Sequence, residues 1–197
     1  MTPELRAIAD RFIYEQATLK HITALAPEEA MLRPIPGGDW NVGQLLGHLG
    51  ASMNAYAGVV REWLLGEPAL DGYNPDEMNA ETASRFLSAT RLDVTQELGR
   101  GLVNLFAALW AIPDARLSEP MGRQRALETL QLFGGHCLRH AIALVDALPE
   151  VRMDPLVLNW LLGAEFEDEG SRAWQNALLA EAQEYIASHP EDEEDEE

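Results

Sequence analysis

The fold class this sequence predicts is all-α: a four-helix bundle followed by a C-terminal helical extension. Three observations carry that expectation. Long stretches repeat apolar residues every three to four positions, no stretch of useful length alternates as a half-buried strand would, and proline- and glycine-rich segments separate the helical ones. With 197 residues, 47% of them hydrophobic, the chain can bury a sizeable core without disulfides. The expected organisation is a bundle over residues 1–150, a helical extension over 151–189 and an acidic tail over 190–197.

Pro3 opens the first helix, where a missing N–H costs nothing, and Leu5, Ile8, Phe12, Ile13, Leu19 and Ile22 carry its stripe to about Ala24. Ala26 to Met31 adds a turn. Arg33-Pro34-Ile35-Pro36-Gly37-Gly38 cannot stay helical, and this loop delivers Trp40. Asn41 is placed to cap the second helix, with Gln44 three residues on as its capping-box partner. That helix runs from Val42 to Leu65 and ends near Gly66-Glu67-Pro68. After a turn-rich stretch from Leu70 to Pro75, apolar spacing predicts a third helix from Glu77 to Trp110, weakened by Gly99 and Gly101. Pro113 and Pro120 bracket a connection. The fourth helix spans Gln124 to Leu148, and shorter helices follow over Leu156–Leu162 and Arg172–Ala187.

The formal net charge of -19 argues against a nucleic-acid surface, which needs a concentrated basic patch. Glu191 to Glu197 reads as a solvated tail. One cysteine, Cys137, excludes a disulfide within the chain and suits a reducing compartment. No apolar run approaches the roughly 20 residues of a membrane span, and the N-terminus lacks a signal-peptide pattern. The expectation is a soluble, cytoplasmic protein.

The chemistry concentrates in Gly134-Gly135-His136-Cys137-Leu138-Arg139-His140. Two imidazoles four residues apart on a helix point the same way and can share one ion. His48, in Leu45-Leu46-Gly47-His48-Leu49, occupies a similar setting in the second helix, so three imidazoles can converge between two helices. Read alone, a buried histidine such as His48 is more often a hydrogen-bonded core residue than a ligand, and a histidine pair four apart can arise by chance on any helix. The glycines at 43, 47, 50, 134 and 135 suggest close backbone approach between the second and fourth helices, or a ligand channel. His21 and His189 read as solvated surface residues.

Asp39-Trp40-Asn41-Val42-Gly43-Gln44-Leu45-Leu46-Gly47-His48-Leu49, followed far downstream by His136-Cys137-Leu138-Arg139-His140, resembles the DinB/YfiT-like superfamily over roughly residues 1–150. The resemblance implies a four-helix bundle with a divalent metal bound by His48, His136 and His140, among relatives that include thiol-dependent S-transferases. It also implies a homodimer. Three neutral imidazoles leave an ion its full charge and an open position, which suits activation of a thiol or of water. Zinc, nickel and iron all accept imidazole.

Residues one turn from these histidines are pocket candidates: Gln44, Ser52 and Tyr56 on the second helix, Thr129, Leu132 and Phe133 on the fourth. Gln44 suits either a metal-bound water or its capping box. Cys137 lies about 100 degrees around the helix from His136 and reads as a small buried hydrophobe. The leading functional expectation is a metal-dependent transferase that uses a low-molecular-weight thiol on a small-molecule substrate. A metal-dependent hydrolase is the nearest alternative, and a non-enzymatic metal- or ligand-binding bundle is a third.

Overall fold

The structure, a computed structural model, describes residues 1–68 and 74–189. Helix α1 (Pro3–Leu25) starts where Thr2 Oγ1 accepts the Leu5 N–H at 3.2 Å. Leu5, Ile8, Phe12, Leu19 and Ile22 are buried along it, whereas Ile13 falls off the stripe and is exposed. A 3₁₀ turn, Glu28–Leu32, leads into the proline-glycine loop. That loop is not slack. The Ile35 N–H donates to Trp40 O at 2.8 Å and the Val42 N–H to Arg33 O at 3.0 Å, while Arg33 Nη1 donates to Ala147 O at 2.7 Å. These bonds fix Trp40 beside the next helix.

Helix α2 (Val42–Leu65) has the capping box its sequence announces: the Gln44 N–H donates to Asn41 Oδ1, and the Asn41 N–H to Gln44 Oε1, both at 2.8 Å. It ends at Gly66, whose φ of 79° is costly for any residue with a Cβ. Leu45, Leu46, Leu49, Met53 and Val60 are almost fully buried on α2, each contributing about 1.5–3 kcal/mol.

The third predicted helix is two helices, α3 (Pro75–Arg85) and α4 (Arg91–Trp110). The break has a local cause. Thr90 and Asp93 form a second capping box, with the Asp93 N–H bonded to Thr90 Oγ1 and the Thr90 N–H to Asp93 Oδ2. Phe86, between the two helices, turns inward and is 3% exposed. It packs where a Cβ on Gly47 would overlap its ring, and a Cβ on Gly50 would come within 2.9 Å of the α4 backbone at Glu97 and Leu98. The close approach read from the glycines therefore joins α2 to α3 and α4, not to the histidine-pair helix.

The fourth predicted helix is also divided. Strands β1 (Pro120–Met121) and β2 (Gln124–Arg125) form a minimal hairpin turned at Gly122, whose φ is 69°. Helix α5 (Ala126–Gly134) follows, and after the single residue Gly135 comes α6 (His136–Ala147). The bundle is α1, α2, α4 and the α5–α6 arm. Helix α2 packs chiefly on α4, α1 lies against α4 and α5, and α6 meets α2.

Beyond the bundle, α7 (Pro155–Leu162) packs on α1 and α8 (Glu169–Ser188) packs on α7. His21 Nε2 meets Asp154 Oδ2 at 2.9 Å, so this histidine ties α1 to the cap of α7 instead of lying free in solvent. His189 is exposed and stacks on Tyr185. Asp168 caps α8 by accepting the Ser171 N–H. The acidic tail and most of the turn-rich stretch before Pro75 lie outside the described residues. Among the described residues, no helix is long and apolar enough to cross a membrane.

Candidate metal centre

Where α2 meets α6, His48, His136 and His140 converge. Their candidate donor atoms all lie within 4.8 Å of one another, and the Nε2 atoms of His48 and His136 are 2.9 Å apart. His140 completes the group with ring centroids 5.3 Å from His48 and 4.9 Å from His136. The division at Gly135 puts His136 on the first residue of α6, and His140 follows one turn later on the same face. His48 is 3% exposed, while His136 and His140 are half-buried and give the group a solvent-facing side.

Aromatic rings wall the cluster. Trp40 presents to His48 at 5.0 Å in an edge contact. Tyr56, two turns beyond His48 on α2, stands perpendicular to His136 at 5.8 Å and stacks on Phe133 at 4.0 Å.

The protons can be placed from the partners. Arginine is only a donor, so Arg139 Nη2 at 3.3 Å makes His136 Nδ1 an acceptor. The His136 proton then sits on Nε2 and is donated to His48 Nε2. That leaves the His48 proton on Nδ1, which is buried and has no hydrogen-bond partner.

Burial holds all three rings neutral. The His48 pKa falls to about 4, through desolvation and then the neighbouring His140. His136 falls to about 3, through desolvation, then its two histidine neighbours and Arg139. His140 is lowered by desolvation and then by Arg139. Neutral imidazoles are the form that ligates metal. Three convergent imidazole nitrogens and one open side fit a divalent first-row ion.

The other sequence candidates sort plainly. Tyr56 and Phe133 stand at the cluster. Gln44 does not serve it: Oε1 is held in the capping box and Nε2 donates to Ala83 O at 2.7 Å. Thr129 Oγ1 donates to Met121 O at 3.1 Å, pinning the hairpin onto α5. Leu132 is 54% exposed and takes no part in the cluster's wall. Ser52 is fully buried, its Oγ without a partner. Cys137 is buried against Glu15, and burial followed by the Glu15 charge pushes its thiol pKa well up. It is the small buried residue its position suggested.

Sequence reasoning passed over Trp40 and Arg139 as members of this site. Both had a signal. Trp40 directly precedes the cap of the histidine-bearing helix, and Arg139 stands three residues after His136, the spacing at which helical side chains meet.

A family model described as the DinB superfamily matches residues 14–144, more than half of the 197-residue chain. The matched stretch begins within α1, ends within α6 and includes all three histidines; α7 and α8 lie beyond it. Among curated proteins and among solved structures, nothing matches the chain.

Proposed function

The chain belongs to the DinB superfamily, and from that premise we propose that it is a metal-dependent enzyme, a thiol-dependent S-transferase in which His48, His136 and His140 hold a divalent first-row ion. The single observation that carries this reading is the convergence of three neutral imidazoles with one side toward solvent. An ion on three uncharged ligands keeps its full charge and an open position, and supplies there the means to hold a thiol as its thiolate near neutral pH.

The protein's own groups do the rest. His48, held by α2 and by the edge of Trp40, forms the buried floor. His136 and His140 present from the α6 side, and the stacked Tyr56 and Phe133 rings offer an apolar wall that shields the thiol from water and orients a small electrophilic substrate. Burial of Cys137 removes it as a competing nucleophile, because a thiol kept protonated is a weak one. The same reading takes the protein as a cytoplasmic homodimer.

Elemental analysis of the purified protein by plasma mass spectrometry, beside a variant with all three histidines replaced by alanine, tests the centre. About one equivalent of a transition metal in the parent and almost none in a folded variant supports it. Transfer of small thiols to an electrophile such as monobromobimane then tests the reaction. A loaded protein without transfer, but with ester or amide hydrolysis, would assign the activity to a hydrolase. No metal in either protein, after reconstitution with zinc, nickel and iron, removes the enzyme reading.

A further inference from the structure

We propose that Arg139 is the anion-binding group of the histidine site and that the ligand taken there carries a carboxylate beside its thiol; this rests on the metal reading of the three histidines. The chain has 33 acidic residues against 14 basic ones, so a guanidinium has many carboxylates to pair with. Arg11, Arg33, Arg85 and Arg91 each do so. Among the described residues no carboxylate stands within ion-pair distance of Arg139, whose hydrogen bond goes to His136 Nδ1; Glu15 is near enough to feel its charge but is paired with Arg11.

That contact is conditional. An imidazole that ligates through Nε2 carries its proton on Nδ1, where it ordinarily donates to a carboxylate, a carbonyl or water. Arginine offers donors alone. Two N–H groups cannot face one another, so engagement of His136 Nε2 releases the guanidinium from Nδ1. Gly135 gives this side chain its room: a Cβ there would lie 3.2 Å from Arg139 Nη1. The released guanidinium is exposed, one turn from a cluster that contains no carboxylate of its own.

The ligand chemistry that answers both groups has a soft anionic donor for the centre and a planar anion for the fork of the guanidinium. A small thiol bearing a carboxylate meets both. A carboxylate paired bidentately with the guanidinium strengthens binding by about tenfold.

The test uses the full-length chain loaded with cobalt(II), whose visible absorption reports thiolate ligation independently of turnover. It is titrated with mercaptopropionate and with mercaptopropanol, the alcohol of the same length. The expected result is binding of the acid about tenfold tighter than the alcohol in the parent, equal binding in Arg139→Gln and a partial preference in Arg139→Lys. Arg61→Gln, at an exposed arginine bonded to Asn104 O, should keep the full preference. Equal affinities in the parent, or a preference that survives Arg139→Gln, would overturn the inference while leaving the metal reading intact. A parent that takes up no cobalt overturns both.

Discussion

Two polar clusters flank α2, and they are built on opposite plans. Around Glu97, 2% exposed on α4, every acceptor is met: Oε2 takes Arg85 at 2.6 Å and Arg100 at 3.0 Å, and Oε1 takes the Asn54 amide at 2.9 Å. Asn54 in turn accepts from Asn104 at 2.7 Å. Around His48 the bonding stops short. Its Nδ1 has no partner, and the arginine at the rim has an imidazole where a carboxylate belongs. A satisfied buried network holds helices together. The histidine cluster lacks that closure, and three convergent imidazoles with a solvent-facing side are the arrangement that the metal reading proposed above draws on.

The sharpest way to break the comparison is His48→Leu. It should abolish ion uptake, and with it the stabilisation that a bound ion gives, about 2.7 kcal/mol at a hundredfold excess over Kd. The urea midpoint of the metal-free protein should change little, because the orphaned Nδ1 that goes with the imidazole offsets the bond from His136 Nε2 that is lost with it. Glu97→Ala should do the reverse. Metal content stays, and stability drops by roughly 2 kcal/mol in urea titration, less than for a fully buried pair because Arg85 and Arg100 are 51% and 56% exposed.

Acid separates the clusters next. Folded His48 and His136 titrate at about 4 and about 3, against the ordinary 6.5. As pH falls through 6.5 the unfolded chain takes up protons that the folded, metal-free chain refuses. Stability is therefore full above that value and lost on acidification, by up to about 1.4 kcal/mol per pH unit for each ring. Urea midpoints of chelator-treated protein from about pH 7 to about pH 5 should show this slope, and His48→Leu should shallow it. The smallest effect should come from Cys137→Ala: about 1 kcal/mol of stability, unchanged metal content, and in the parent no native-state reaction with a disulfide reagent, since burial keeps that thiol protonated.

Much of this was legible in the chain, for physical reasons that are local. Asn41 and Gln44 announce the start of α2, and the 3.6-residue stripe of α1 follows from Leu5, Ile8 and Phe12. The histidines at 136 and 140 share a face by spacing alone. Other features depended on weighing one local signal against another. Thr90 and Asp93 spell a capping box as clearly as Asn41 and Gln44 do, yet the apolar run from Phe86 to Leu98 masks it, because Phe86 is buried by turning inward and not by continuing a helix. Gly135 divides the last arm, and Gly122 turns a hairpin that four residues of strand cannot advertise. Whether Gln44 served its cap or the site was undecidable without Ala83, which α3 brings to it from 39 positions away.

His48 and His136 are 88 residues apart in the chain and touch through their rings. An ion held by both rings would join two points that far apart in the folded chain, and because it leaves when the chain unfolds it would stabilise by mass action, more as free ion rises, and not by restricting the unfolded chain as a disulfide does. Such an ion could be drawn out with a chelator and returned without redox chemistry. The α5–α6 arm would then behave as a latch, and its amides, set against those of the α2–α4 pair in deuterium exchange, would record whether the latch is fastened.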